Sequence, residues 1–315
     1  MLLCIDIGGT AVKLGLVTRE GKILARHEAS VCFDGYATPI LTTVIREGQA
    51  FLAREGAAGR IEGVAISATG QVDDELGAVI GTNGKIPHYE GAQLKREAEA
   101  AFGVPAEALN DANAAALGEA TFGAARGCRD VLMVTLGTGV GGGVVLGGRV
   151  YGGARGIAGE LGHFTLYQDG EPCPCGKRGC YESYASTTAL VRAAQAATGE
   201  AQMNGRIVFE RAAAGDKVML GVLDRWIGDI AAGLTGLVHI FNPEAVLIGG
   251  GVSAQEELLI APLRERVLCG VMPRFAEGLR VLRATLGNDA GMLGALRFFE
   301  QKQQERRLRK NSGEI

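Results

Sequence analysis

The chain has 315 residues, 47% of them hydrophobic and 21% charged, enough for about two cores at roughly 150 residues each, so a globular, soluble, two-lobed protein is expected. Its formal net charge is −3, from 32 basic and 35 acidic side chains, which leaves no overall positive field to hold a polyanion and sets nucleic acid aside as a partner. The start, MLLCIDIGGT, has no basic segment ahead of a long apolar run, and no stretch reaches about 18 uninterrupted apolar residues; a cytoplasmic protein without membrane contact is expected.

Residues 2–7 and 12–18 are rich in apolar and β-branched types and are broken by Gly8, Gly9 and Thr10, which predicts a hairpin. Residues 22–29 read as a third strand, 38–55 carry a helical apolar period, and 61–67 return to strand. A polar, Gly-containing stretch runs from Gln71 to Gly91. Beyond it come a helix at 92–102, a short strand near Ala108, and an Ala-rich helix at 112–122 that is entered from Asn110-Asp111 and left by a Gly-rich break. The opening pattern then recurs about 130 residues on, because DVLMVTL, GTGVGGG and VVLGGRV repeat strand, Gly/Thr turn, strand. Two related lobes are expected, each offering a turn to the cleft between them. The second half adds a loop-rich insert at 157–183, a helix near 217–241 stopped by Asn242-Pro243, the strand AVLIGGG, a helix at 255–268 and the strand RVLRATL. A last helix runs from Asp289 to Glu300, and the charged tail QKQQERRLRKNSGEI is expected to fray. The order predicts an α/β protein in which 1–120 plus about 289–315 form a smaller lobe and 121–288 a larger one. No Pro-, Gly- or Ser-rich linker separates them, so hinges join them.

Three kinds of motif carry chemistry. DIGGT at 6–10 places a carboxylate at a strand end, then two glycines and a hydroxyl. Gly8 and Gly9 let backbone N–H groups approach a phosphate, Thr10 adds a donor, and Lys13 a nearby charge. Asp6 beside a phosphate requires a cation, which points to Mg²⁺. LGTGVGGG at 136–143 supplies donors from the second lobe, best from Thr138 and Gly139, and Gly249, Gly250 and Gly251 end a strand where a nucleoside can lie against bare backbone. Neither run is followed by the Lys-Ser/Thr of a Walker loop or the downstream acid of a dinucleotide fingerprint. Asp111 precedes a helix, where an Asp often only caps; placed at the mouth between lobes it can instead accept a proton from a hydroxyl attacking a γ-phosphorus, with Asn110 holding neighbouring hydroxyls. Seven cysteines include Cys4, Cys32, Cys128 and Cys269, which stand alone, and Cys173, Cys175 and Cys180, which crowd behind His163. An odd, clustered set suits a metal better than disulfides, and three thiolates with one imidazole form the closed tetrahedral set of a structural zinc. Glu160 and Glu182 would be held beside it, suited to the vicinal hydroxyls of a sugar.

Together DIGGT, NDANAAALGE at 110–119, LGTGVGGG, AGELGH at 158–163, CPCGKRGCYE at 173–182 and IGGG at 248–251 resemble the ROK family (repressors, open reading frames, kinases) over nearly the whole chain. The resemblance implies the two-lobed actin-like ATPase (ribonuclease H-like) fold, ATP with Mg²⁺, a structural zinc, a homodimer, and phosphorylation of a hexose or N-acetylhexosamine, commonly at the 6-hydroxyl. Carried over by motif, Asp111 is the catalytic base, Asn110, Glu160, His163 and Glu182 are sugar contacts, and His163, Cys173, Cys175 and Cys180 are zinc ligands. Family repressors place a winged helix before the DIGGT-like motif, whereas here that motif begins at residue 6; a kinase without a DNA-reading domain is expected. The chain departs from the family at TGQVD, where many members show PGxVD, and at Tyr89, where others place Trp. Gly70, Gln71 and Asn83 are the sugar contacts expected in those loops. Glucose is the favoured substrate, N-acetylmannosamine or another N-acetylhexosamine the alternative, and a non-catalytic sugar sensor the reading from a different class.

Overall fold

The computed structural model describes residues 1–82, 84 and 86–312, so the sugar contact expected at Asn83 lies outside the described residues. The chain divides into two compact units, Met1–Arg126 with Gly148–Ala158 and Asn288–Ile315, and Gly127–Gly147 with Gly159–Gly287. The segment Gly148–Ala158, assigned to the second lobe on sequence, therefore belongs to the first unit.

In the first unit, β1 (Leu2–Ile7), β2 (Ala11–Val17) and β3 (Ile23–Ser30) form an antiparallel meander, followed by helix α1 (Ile40–Arg54). Next come β4 (Val64–Ala68), a hairpin of β5 (Gln71–Asp73) and β6 (Ala78–Gly81), helix α2 (Leu94–Phe102), β7 (Ala106–Asn110) and helix α3 (Asp111–Phe122). The sheet order is β3-β2-β1-β4-β7, with β4 parallel to both β1 and β7. Burial explains the composition of the strands. All of β4 is buried and reads as an unbroken apolar or small run, whereas the edge strand β3 alternates half-buried with exposed residues. The β5–β6 hairpin lies in the polar, Gly-containing stretch from Gln71 to Gly91; strands of three and four residues are too short to show an apolar alternation.

The second unit repeats the plan. Strands β8 (Val131–Leu136) and β9 (Val140–Leu146) form an antiparallel pair, β10 (Arg149–Val150) falls in the first unit, and β11 (Ala245–Gly249) and β12 (Arg280–Arg283) are parallel to β8, giving β9-β8-β11-β12. Helices α4 (Glu182–Ala185), α5 (Thr187–Thr198), α6 (Gly205–Ala213) and α7 (Lys217–Phe241) precede β11, and α8 (Ala261–Gly270) and α9 (Pro273–Ala276) follow it. Helix α7 stops at Asn242, whose left-handed φ of 45° closes the helix before Pro243. The glycine run expected as one turn at 136–143 is divided: the turn is Gly137–Gly139, and Gly141–Gly143 lie inside β9. Gly142 is required there because a Cβ would stand 2.5 Å from the Gly159 carbonyl oxygen.

Helix α10 (Ala290–Ser312) corrects the expected fraying after Glu300. Gln301 and Lys302 are buried, Lys302 pairs with Glu75, and Gln303 and Arg306 reach Glu107, which is 1% exposed. A buried carboxylate needs such cations, and they hold the added turns in place. Upstream, α10 crosses α3 backbone to backbone: a Cβ on Gly294 would stand 1.7 Å from the Ala114 oxygen, and one on Gly118 2.4 Å from that of Ala290. Each unit has its own core, Leu3, Ile5, Ile66, Phe51 and Leu94 in the first, Leu132, Tyr181, Trp226, Ile248 and Leu263 in the second. Among the described residues no helix is long and apolar enough to cross a membrane.

Candidate active site

In the first unit the C-terminal ends of three parallel strands lie side by side, with Ile7 opposite Ala68 and Ala68 opposite Asn110. Ligands of open α/β sheets bind at such ends. Asp6, the penultimate residue of β1, accepts a hydrogen bond from Ser67 Oγ of β4 at 2.7 Å; Lys13 Nζ stands 3.8 Å from its other oxygen. Burial pushes its carboxyl upward, against the opposing pull of Ser67 and Lys13. Gly291 at the start of α10 is bare for this reason, since a Cβ would come within 2.7 Å of Asp6 Oδ1. The turn after β1 is closed by Gly8 N–H donating to Ala11 O at 2.9 Å and braced by Tyr36 Oη donating to Gly9 O at 2.7 Å, which leaves Thr10 exposed.

The end of β7 separates two roles that sequence could not. Asn110 is the N-cap of α3: its Oδ1 accepts from Ala112 N at 3.0 Å and Asn113 N at 3.1 Å. Its Nδ2 donates to Gly70 O at 2.9 Å and to Asp111 Oδ1 at 3.0 Å. Asp111 is the first helical residue, and it also accepts from Ala112 N and Thr69. Burial, opposed by the Ala112 N–H and reinforced by the negative charge of Asp6, pushes the Asp111 carboxyl up to about 6. Gly70 adopts φ 92°, and its neighbour Gln71 lies against Gly81, where a Cβ would meet Gln71 Oε1. Tyr89 is buried, its hydroxyl has no partner among the described residues, and burial together with the charges of Asp111 and Asp6 pushes its pKa up, so the phenol stays protonated.

The second unit carries the remaining candidates. The turn Gly137–Gly139 and the turn after β11 are neighbours because β8 and β11 pair, and Gly250, at φ 91°, lies against Leu136, where a Cβ would clash with its carbonyl. A cavity of about 950 Å³ opens beside them, lined by Thr138, Gly251, Arg192, Gln195, Asn204 and Phe209 among others. Of the three glycines expected to meet a nucleoside, Gly251 borders the cavity; Gly249 and Gly250 are explained by packing on Met133 and Leu136. Thr138 is exposed at its mouth. The cavity residues of α5 and α6 were not found on sequence, since they belong to ordinary amphipathic helices; the caps Ser186 and Asn204 are the local signs of helices there.

Glu160 is exposed and opens the short turn Leu161–His163. The ligand atoms of His163, Cys173, Cys175 and Cys180 all lie within 4.8 Å of one another, with His163 Nδ1 to Cys173 Sγ and Cys175 Sγ to Cys180 Sγ both 3.6 Å. A tetrahedral zinc site with sulfur ligands has edges of about 3.8 Å, so the donor set and its spacing fit such an ion. Glu182 follows in α4, and its Oε2 accepts from Val140 N at 2.9 Å.

The model of the ROK family matches residues 2–302. A glucokinase of Thermotoga maritima is 35% identical over 314 residues, spanning 96% of this chain and 98% of that protein. Among solved structures, a ROK family glucokinase from Streptomyces griseus in complex with glucose and AMPPNP shares 36% identity at a TM-score of 0.74, covering 94% of this chain and 97% of its own. A ROK hexokinase from Thermus thermophilus shares 33% identity at a TM-score of 0.81, covering 96% and 99%. These proteins have the actin-like two-lobed α/β fold, which is the fold of this chain.

Proposed function

The chain belongs to the ROK family, and from that membership and the chemistry of its strand ends we propose that it transfers the γ-phosphoryl group of ATP to the 6-hydroxyl of glucose. ATP-dependent hexose kinase activity follows from the glucokinases it matches over nearly their full length. Glucose is the finer reading, supported by Glu160, His163 and Glu182, the acid-imidazole-acid set suited to vicinal hydroxyls.

The observation that carries this reading is at the end of β7, where Asn110 and not Asp111 is the N-cap of α3. Asn110 accepts from two N–H groups of the helix start, and the Asp111 carboxylate, whose Oδ1 accepts from Asn110 and Ala112, is the group offered to a hydroxyl, with a proton affinity raised toward neutrality. Asp111 takes the proton as the sugar oxygen attacks phosphorus, while Asn110, Gly70 and Gln71 hold the sugar. Backbone N–H groups of the turns at 8–10 and 137–139 and the Thr10 and Thr138 hydroxyls receive the phosphates, and the cavity beside Gly251 takes the nucleoside. Asp6 would hold Mg²⁺, which when bound neutralises charge on the β- and γ-phosphates. His163, Cys173, Cys175 and Cys180 would hold zinc, which stabilises a loop with little core of its own. A cytoplasmic homodimer belongs to the same reading.

A coupled ADP-release assay over glucose, mannose, fructose, N-acetylglucosamine, N-acetylmannosamine and allose tests it. Glucose should give the highest kcat/KM. A higher value for N-acetylmannosamine moves the substrate without touching the chemistry. Sugar binding by calorimetry with no ADP released over the whole panel would identify a sensor and end the kinase reading.

A further inference from the structure

The cysteine cluster and the second phosphate turn are joined by one short segment. Cys180 is the last of the four candidate ligands. The next residue, Tyr181, is fully buried, donates from Oη to Ile230 O at 2.9 Å, and stacks on Phe164 at 5.0 Å between centroids. Glu182 then accepts from Val140 N at 2.9 Å, and Gly139 is bare where a Cβ would stand 2.3 Å from the same carboxylate oxygen. Ser183 Oγ donates back to Pro172 O at 3.1 Å, beside Cys173, and Ser183 O accepts from Arg192, a cavity-lining side chain, at 2.7 Å. At the start of α5, Thr187 N donates to Gly137 O at 2.8 Å and Thr188 Oγ1 to Thr138 O at 2.7 Å. Residues 137, 138 and 140 of the turn are thus each held by residues 182–188.

We propose that metal at the cysteine cluster sets the affinity for nucleotide, with Glu182 as the positioning residue that transmits it to the Gly137–Val140 turn. Beyond the Leu136–Val140 register of β8 and β9, the turn's own closure is one hydrogen bond, Gly137 N to Gly139 O at 3.0 Å. The strap beginning at Cys180 adds three further holds, so the orientation in which the turn's backbone N–H groups face phosphates depends on the strap. Without metal the strap keeps Tyr181 in the core but loses its anchor at Cys180, and the phosphate donors are held less tightly to their common orientation. Linkage makes the effect reciprocal: nucleotide must retain the metal by the factor by which metal retains nucleotide. Glu182 Oε1 stays available for the sugar, so one carboxylate serves both substrates. The inference rests on the nucleotide reading of the cavity.

The test uses AMPPNP without sugar, so that neither turnover nor the sugar role of Glu182 enters. Its affinity is measured by calorimetry on zinc-loaded, chelator-stripped and zinc-restored protein, and zinc loss to a chromogenic chelator is followed with and without AMPPNP. Stripping should weaken AMPPNP about ten-fold, restoration should reverse this, and AMPPNP should suppress zinc loss by a matching factor. Glu182→Ala, with zinc still stoichiometric, should weaken AMPPNP and abolish the reciprocal effect. Glu182→Gln, whose amide oxygen still accepts from Val140 N, should preserve both. If stripped protein unfolds, the Glu182 pair decides alone. Equal AMPPNP affinity in Glu182→Ala and the parent, or in folded stripped and loaded protein, overturns the coupling while leaving the nucleotide reading intact. No binding of AMPPNP by loaded protein overturns both.

Discussion

Asp111 and Asn110 share one helix start, yet their chemistry differs because Asn110 takes the cap and Asp111 the first helical position. A base works in its ionised form, so with the carboxyl pushed up to about 6 in the free protein, kcat/KM should fall as pH is lowered through about 6, with one ionisation on the acid limb. Asp111→Asn should lower kcat about 10²-fold or more and leave sugar affinity within a few-fold; near-normal kcat would remove Asp111 from the mechanism. Stability has the opposite sign. A carboxyl whose folded value exceeds its unfolded one contributes stability below the unfolded value and loses it as pH rises through the folded value. Asp111→Asn should therefore be more stable than the parent at pH 8, by at most about 3 kcal/mol, with the gain shrinking between about pH 6 and 4. Urea denaturation at three pH values checks it, and a constant difference would mean that Asp111 is not held at that raised value. The pair itself was legible in the sequence. Which member capped was not, because both residue types cap and only the geometry of Ala112 N and Asn113 N assigns the work.

The crossing of α3 on α10 places the Asp111 end of one helix and the Gly291 end of the other near the ends of β1 and β7. Since a Cβ on Gly294 would occupy the position of the Ala114 carbonyl, Gly294→Ala should cost on the order of 3 kcal/mol and displace α3. Denaturation midpoints measure the first effect and sugar affinity the second. A stability loss under about 0.5 kcal/mol would mean the helices separate freely. Element boundaries were readable where apolar periods were long, as in α7, or where burial was continuous, as in β1 and β4. They were misread where polar residues find partners distant in sequence, as Lys302 does in Glu75 and Arg306 in Glu107. No local pattern reports such partners.

The two units repeat a strand order but differ in what they carry, acids at the strand ends of the first and, in the second, a cavity beside the strand ends and a Cys/His cluster. Metal removal should consequently act unevenly. Hydrogen exchange after chelation should quicken for amides of 164–181 and leave the β1, β4 and β7 amides unchanged, since the four ligand residues and the core beneath them lie in the second unit. Equal loss of protection in both units would show that the cluster supports the whole chain. Sequence by itself determined the duplicated α/β plan, the two glycine turns, the Cys/His set and the candidate base, because each depends on residue types at short spacing. Tertiary structure alone decided the course of α10, which of Asn110 and Asp111 caps α3, the cavity lined by α5 and α6, and the strap from Cys180 to the Gly137–Gly139 turn. Those depend on hydrogen bonds and close backbone approaches between residues far apart in the chain, and such contacts leave no mark in local composition.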